Sequence, residues 1–137
     1  MSTIVNKVFG QLTYDHLWQG ESSVVWNNNT VRVKIMVSST EDQTPNEAQE
    51  NNYTYLKENL EVVLANSVDK LLEFCKSTYD SHLKREELIV RVLPKEFLFR
   101  RNGKWGIIFS CPWENEMNLA VVFRGDAVIA GLDDLLI

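Results

Sequence analysis

Few residues of this 137-residue chain could do chemistry: two histidines, two cysteines and some closely spaced carboxylates. Asp15-His16 has the residue types of an orienter and a general base. Adjacent residues of a strand point to opposite faces, and a turn aligns them no better, so the pair reads as a solvated turn. His82 follows a long helical pattern, where a cation suits the helix dipole, and reads as structural. Glu114 and Glu116 flank Asn115 just after Trp113. Two carboxylates can do acid–base chemistry, but at i and i+2 in a loop they read as solvated charges. Asp133-Asp134 lies near the end of the chain. Cys75 and Cys111 are too few for a disulfide framework and read as reduced, buried thiols of a cytosolic protein. There is no Gly-rich phosphate loop, nucleophile elbow, Cys-x-x-Cys or His-Glu-x-x-His. No spacing gathers the three or four ligands of a metal site. The sequence thus assigns no catalytic residue, cofactor or metal ligand, and the chain is expected not to be an enzyme.

Charge carries more information. The net charge is -5, and it is unevenly placed. Residues 41–61 hold six acidic and one basic side chain, and residues 114–137 hold five and one. Residues 62–113 hold nine basic and six acidic. An acidic surface repels phosphates, so nucleic acid is excluded as an expected partner. A basic protein partner would be steered toward it. Arg91, Arg100 and Arg101 read as a charged outer face. Trp18, Trp26, Trp105 and Trp113 read as core or rim, with a partner contact by at least one of them. No apolar run approaches the roughly 20 residues that span a bilayer. Met1-Ser2-Thr3-Ile4 opens no signal peptide, so a cytoplasmic location is expected, away from membranes.

The elements that must position these residues follow from pattern. Val5 to Tyr14 reads as one strand with Gly10 at a bulge or a close-approach point, and Asp15 to Glu21 as a turn-rich connection. Ser22 to Trp26 and Thr30 to Val37 read as a hairpin across Asn27-Asn28-Asn29. Val31, Val33, Ile35 and Val37 alternate with Arg32, Lys34 and Met36, which predicts a half-buried strand. Thr44-Pro45-Asn46-Glu47 reads as a capping box opening a helical pattern over 44–80. Its apolar stripe begins only at Leu56 and runs through Leu60, Val63, Leu64, Val68, Leu71, Leu72, Cys75 and Tyr79. A break near Lys57 to Leu60 would make it two helices. Leu83 to Leu93 suits either strand or helical turn, and Pro94 disfavours helix at Leu93. Glu96 to Arg100 and Trp105 to Cys111 flank Asn102-Gly103, a strong hairpin signal. Leu119 to Arg124 and Ala127 to Ala130 flank Gly125-Asp126. The expectation is one α+β domain over residues 1–137. Its antiparallel sheet, built of N-terminal strands and a C-terminal four-strand meander, packs on one long or two consecutive helices.

The last third carries a resemblance. Leu93-Pro94, Phe97-Leu98-Phe99, Asn102-Gly103 and the run from Gly106 through Cys111-Pro112-Trp113-Glu114-Asn115-Glu116 form one pattern. Leu119 to Phe123 and Asp126 to Asp134 continue it, and Phe9-Gly10 with Trp18-Gln19-Gly20 match its opening. This resembles a group of small bacterial domains of unknown function. Such domains often carry Glu-His-Gly after the Trp, where this chain has Glu116-Met117-Asn118. The resemblance implies an α+β fold and no established catalysis. Some relatives are thought to be immunity proteins that neutralise toxins.

The expected function is therefore a protein-binding module whose acidic surface meets a protein partner, such as a basic toxin. Trp113, Glu114, Glu116, Asp133 and Asp134 are its candidate contacts, beside segment 41–61. One alternative is a hydrolase or small-ligand protein using Asp15, His16 or Glu114. Another is an oligomeric scaffold paired through the apolar end, Leu135-Leu136-Ile137.

Overall fold

Two asparagines set the longest ladder of the sheet. Asn27 and Asn28 adopt φ of 49° and 63°, the left-handed conformation that a two-residue hairpin loop requires and asparagine tolerates. They join β3 (Trp18–Trp26) to β4 (Asn29–Val37), which pair from Trp26↔Asn29 to Trp18↔Val37. The structure, a computed structural model, describes residues 2–79, 82–111, 118–125 and 127–132.

Before this hairpin the expected single strand Val5–Tyr14 is instead two strands, β1 (Thr3–Asn6) and β2 (Gly10–Tyr14). The chain reverses because Asn6 Oδ1 accepts hydrogen bonds from the backbone N–H of Val8 (2.8 Å) and Phe9 (2.9 Å). Gly10, at φ 81°, completes the turn; it is not a bulge within one strand. The connection to β3 is also shorter than expected, and β3 already begins at Trp18.

Among the described residues three helices follow: α1 (Glu47–Glu58), α2 (Leu60–Tyr79) and α3 (Arg85–Arg91). The helix start lies two residues beyond the expected Thr44 cap. Asn46 is the cap, its side chain accepting from Gln49 N while Gln49 Oε1 accepts from Asn46 N, both at 2.9 Å. A tertiary contact selects this register. Gln49 is fully buried, and its Nε2 donates to the carbonyls of Ser38 (2.8 Å) and Phe99 (3.0 Å). The long pattern divides at Asn59, whose N–H and Nδ2 both return to Tyr55 O. There are two consecutive helices here, not one. Leu83 to Leu93 resolves into a short helix followed by the strand that contains Pro94.

The remaining strands are β5 (Leu93–Phe99), β6 (Trp105–Ser110), β7 (Asn118–Arg124) and β8 (Ala127–Leu132). All eight join one open sheet in the order β1-β2-β3-β4-β5-β6-β7-β8. Each neighbour is antiparallel except β4–β5, which is parallel. The expectation of a wholly antiparallel sheet fails there, because three helices carry the chain from the end of β4 back to the start of β5. Such a crossover is what parallel neighbours need. The class is α+β.

The buried stripe Leu56, Val63, Leu64, Val68, Leu71 and Cys75 forms one core with Val33, Ile35, Phe97, Ile107, Phe109 and Val121 of the strands. Stacked rings extend this core sideways. Phe9 lies 4.8 Å from Tyr53, and Trp105 lies 4.3 Å from Phe123. The opposite sheet face carries a smaller cluster of Ala120 and Val122 with Leu98 and Ile108.

Candidate functional site

Trp113, Glu114, Glu116, Asp133 and Asp134 lie outside the described residues, as does Leu135-Leu136-Ile137. The register does fix the strand ends from which those stretches leave. Ser110 pairs with Asn118 and Leu119 with Leu132. The departure points toward 112–117 and 133–137 therefore lie on neighbouring strands, at one end of the sheet.

The acidic stretch 41–61 can be followed in full. Along α1, steps of three and four residues put Glu47, Glu50, Thr54 and Glu58 on one stripe. Gln49, Tyr53 and Leu56 form the buried side. Glu47 and Glu58 are exposed, as are Glu61 at the start of α2 and Glu41 and Asp42 in the preceding loop. Among the described residues, Glu47, Glu58 and Glu61 have no ion-pair partner. Glu50 accepts a 3.1 Å hydrogen bond from Asn6 Nδ2, which ties the helix to β1. Lys57, the single basic residue of the stretch, lies over the Tyr53 ring at 4.8 Å. A hydrogen bond from the Thr40 hydroxyl holds the Asp42 carboxyl below its ordinary range, with the Asp42 backbone N–H as the smaller cause.

Side-chain amides anchor this helix. Besides the Gln49 clamp, Asn46 Nδ2 donates to Arg101 O at 3.1 Å and Asn52 Nδ2 to Gly103 O at 3.0 Å. Arg101 Nη1 donates in return to Ser39 Oγ (3.1 Å) and Thr44 O (3.0 Å). Arg101 is thus a structural strut, not part of an outer charged face. The asparagine-rich start of the helical pattern was the only sequence signal for this network. Its partners are backbone carbonyls, which no side-chain pattern reveals.

His16 sits in the turn before β3 with φ 66° and 96% of its side chain exposed, its Nε2 3.7 Å from Asp15 Oδ1. A depression of about 590 Å³ lies between β2 and β3. Glu21 and Lys34 supply its charged residues, and neither Asp15 nor His16 lines it. Trp18 Nε1 donates to Gln43 O, and Trp26 Nε1 is shared between Ile89 O and Val92 O. Trp18, Trp26 and Trp105 are buried. Cys75 and Cys111 are both buried. Among the described residues no three His, Cys, Asp or Glu side chains converge as a metal site requires. No described helix is long and apolar enough to cross a membrane.

A mixed, mostly antiparallel sheet backed by three helices, with an acidic helix edge, defines an α+β protein. Residues 8–133 match the family described as Domain of unknown function (DUF6985). The chain belongs to that family. No curated protein and no solved structure matches it.

Proposed function

We propose that the protein is a non-enzymatic binding module that meets a basic protein partner through its acidic surface. The particular reading is an immunity protein that neutralises a bacterial toxin in the cytoplasm. The carrying observation is the stripe on α1. Glu47 and Glu58 stand exposed opposite its buried side, continued by Glu61 and preceded by Glu41 and Asp42. Side-chain bonds to the sheet fix the helix that carries the stripe, which favours its presentation to a partner. Trp113, Glu114, Glu116, Asp133 and Asp134 add acidic and aromatic contacts in this reading. The toxin assignment rests on the family resemblance and on the complementarity of an acidic inhibitor to a basic nuclease.

Charge-steered association weakens with salt and with reversal of the contacting charges. The test uses the secreted toxin encoded beside the gene and titrates it by calorimetry at low and high salt. The expected result is binding that weakens with salt and falls about tenfold or more in Glu47→Lys/Glu58→Lys/Glu61→Lys. A second variant reverses Glu114, Glu116, Asp133 and Asp134 and should weaken binding as well. Affinity unchanged in both variants removes the acidic surface from the interface. Absence of toxin binding removes the immunity reading.

A further inference from the structure

We infer that the distal half of β3, from Glu21 to Trp26, is a docking edge for an extended segment of a partner protein. The β3–β4 hairpin sets which backbone groups of β3 face outward. Trp26↔Asn29 closes a two-residue loop, so it is a hydrogen-bonded pair, and bonded pairs alternate from there. Trp26, Val24, Ser22 and Gly20 then bond to β4. Val25, Ser23 and Glu21 turn their N–H and C=O groups to the opposite side.

On that side β3 is only partly covered. β2 pairs with it at just two positions, Thr13↔Gln19 and Tyr14↔Trp18. The strands still approach at Gly20, where a Cβ would lie 3.1 Å from Gln11 O. Beyond it no described strand pairs with β3 on the β2 side. An internal strand of the sheet thus becomes an edge halfway along its length. The usual guards against strand addition, namely proline, lysine and a bulge, are missing from Ser22-Ser23-Val24-Val25-Trp26.

The surroundings suit one kind of occupant. Beside the end of β3 a mostly apolar groove of about 280 Å³ is lined by Val25, Leu64, Val68 and Ile89, with Glu61 and Arg85 as its charged residues. Val25 is 67% exposed. Along the other side of the strand a depression of about 560 Å³ is lined by Glu21, Ser22, Ser23, Thr30 and Arg32. An added strand sends alternate side chains to the two sheet faces. The occupant is therefore an extended peptide of alternating apolar and polar residues, held by main-chain hydrogen bonds. The strand edge is a different element from the α1 stripe, and Glu61, at the start of α2, borders both.

The test takes its ligand from a phage-displayed library of random heptapeptides panned on the full chain. The selected peptide is synthesised and titrated into 15N-labelled protein. The amides of Ser23 and Val25 should shift and slow their exchange on binding. Ser23→Pro removes an outward N–H without touching the β4 ladder, and Val25→Lys places a charge on the exposed edge. Each should weaken the peptide about tenfold or more, with the circular dichroism spectrum unchanged. The Glu47→Lys/Glu58→Lys variant, which leaves Glu61 of the groove intact, should bind the peptide as the wild type does, which separates this site from the α1 stripe. In the free protein the Ser23 and Val25 amides should exchange faster than that of Val24. This measurement stands even where Ser23→Pro fails to fold. The inference is overturned by a library that yields no binder, by shifts mapping elsewhere or by full affinity in Val25→Lys. It is also overturned if those amides become protected by self-association, which assigns the edge to a second copy of the chain.

Discussion

The two consecutive helices α1 and α2 are held to the same sheet by different means. α2 is buried through apolar volume: Val63, Val68, Leu71 and Cys75 are each at most 2% exposed. α1 contributes Tyr53 and Leu56 to the core, but its position is fixed by amides. Gln49, Asn46 and Asn52 reach four backbone carbonyls: Ser38 just after β4, Phe99 at the end of β5, and Arg101 and Gly103 on the β5–β6 turn. Hydrophobic contact is non-directional, whereas hydrogen bonds lose strength when bent. α2 therefore supplies stability, and α1 a defined orientation for its charged face.

Substitutions can break this contrast at graded cost. Leu71→Ala removes a fully buried side chain and should cost about 2–5 kcal/mol by denaturant titration, the range for large-to-small core changes. Gln49→Ala leaves the carbonyls of Ser38 and Phe99 without its amide and should cost roughly 1–3 kcal/mol. It should also loosen α1 selectively, seen as faster amide exchange from Gln49 to Glu58 with α2 unaffected. Equal loosening of both helices would erase the distinction. Glu47→Lys/Glu58→Lys/Glu61→Lys should change stability by about 0.5 kcal/mol or less per site, as exposed positions generally do. Its effect belongs in partner affinity.

The smallest effect is at Asp42. A group with a depressed folded-state pKa adds stability above its unfolded value and loses it as pH falls through the folded value. The Asp42 carboxyl should therefore titrate below the ordinary 3.8 by NMR. Thr40→Val should raise that midpoint toward the ordinary value, by removing the 2.6 Å hydrogen bond from Thr40 Oγ1. A midpoint unmoved by this substitution would assign the depression to the backbone.

Much of the fold was legible where a local rule governs it. Asn27-Asn28 and Asn102-Gly103 mark turns that need positive φ, and both turn the chain there. The alternation in Val31–Val37 and the apolar stripe from Leu56 each match a buried face. The run Val5–Tyr14 divides into two strands because Asn6 folds its side chain back onto two backbone N–H groups. That contact competes with strand extension over a mere three residues. The cap was misplaced because Thr44-Pro45 and Asn46-Gln49 are both acceptable locally. The candidate contacts at 113–116 and 133–134 were reached by charge and residue type, and the described residues place only the strand ends beside them.

The sequence by itself determined the turn chemistry, the two periodicities and the uneven charge, because each depends on residues close in the chain. The tertiary structure alone decided the parallel β4–β5 join, the burial of Gln49 between Ser38 and Phe99, and the parting of β2 from β3. These depend on backbone groups far apart in sequence. Every residue carries the same N–H and C=O, so only the fold determines which of them meet and which remain open to a partner.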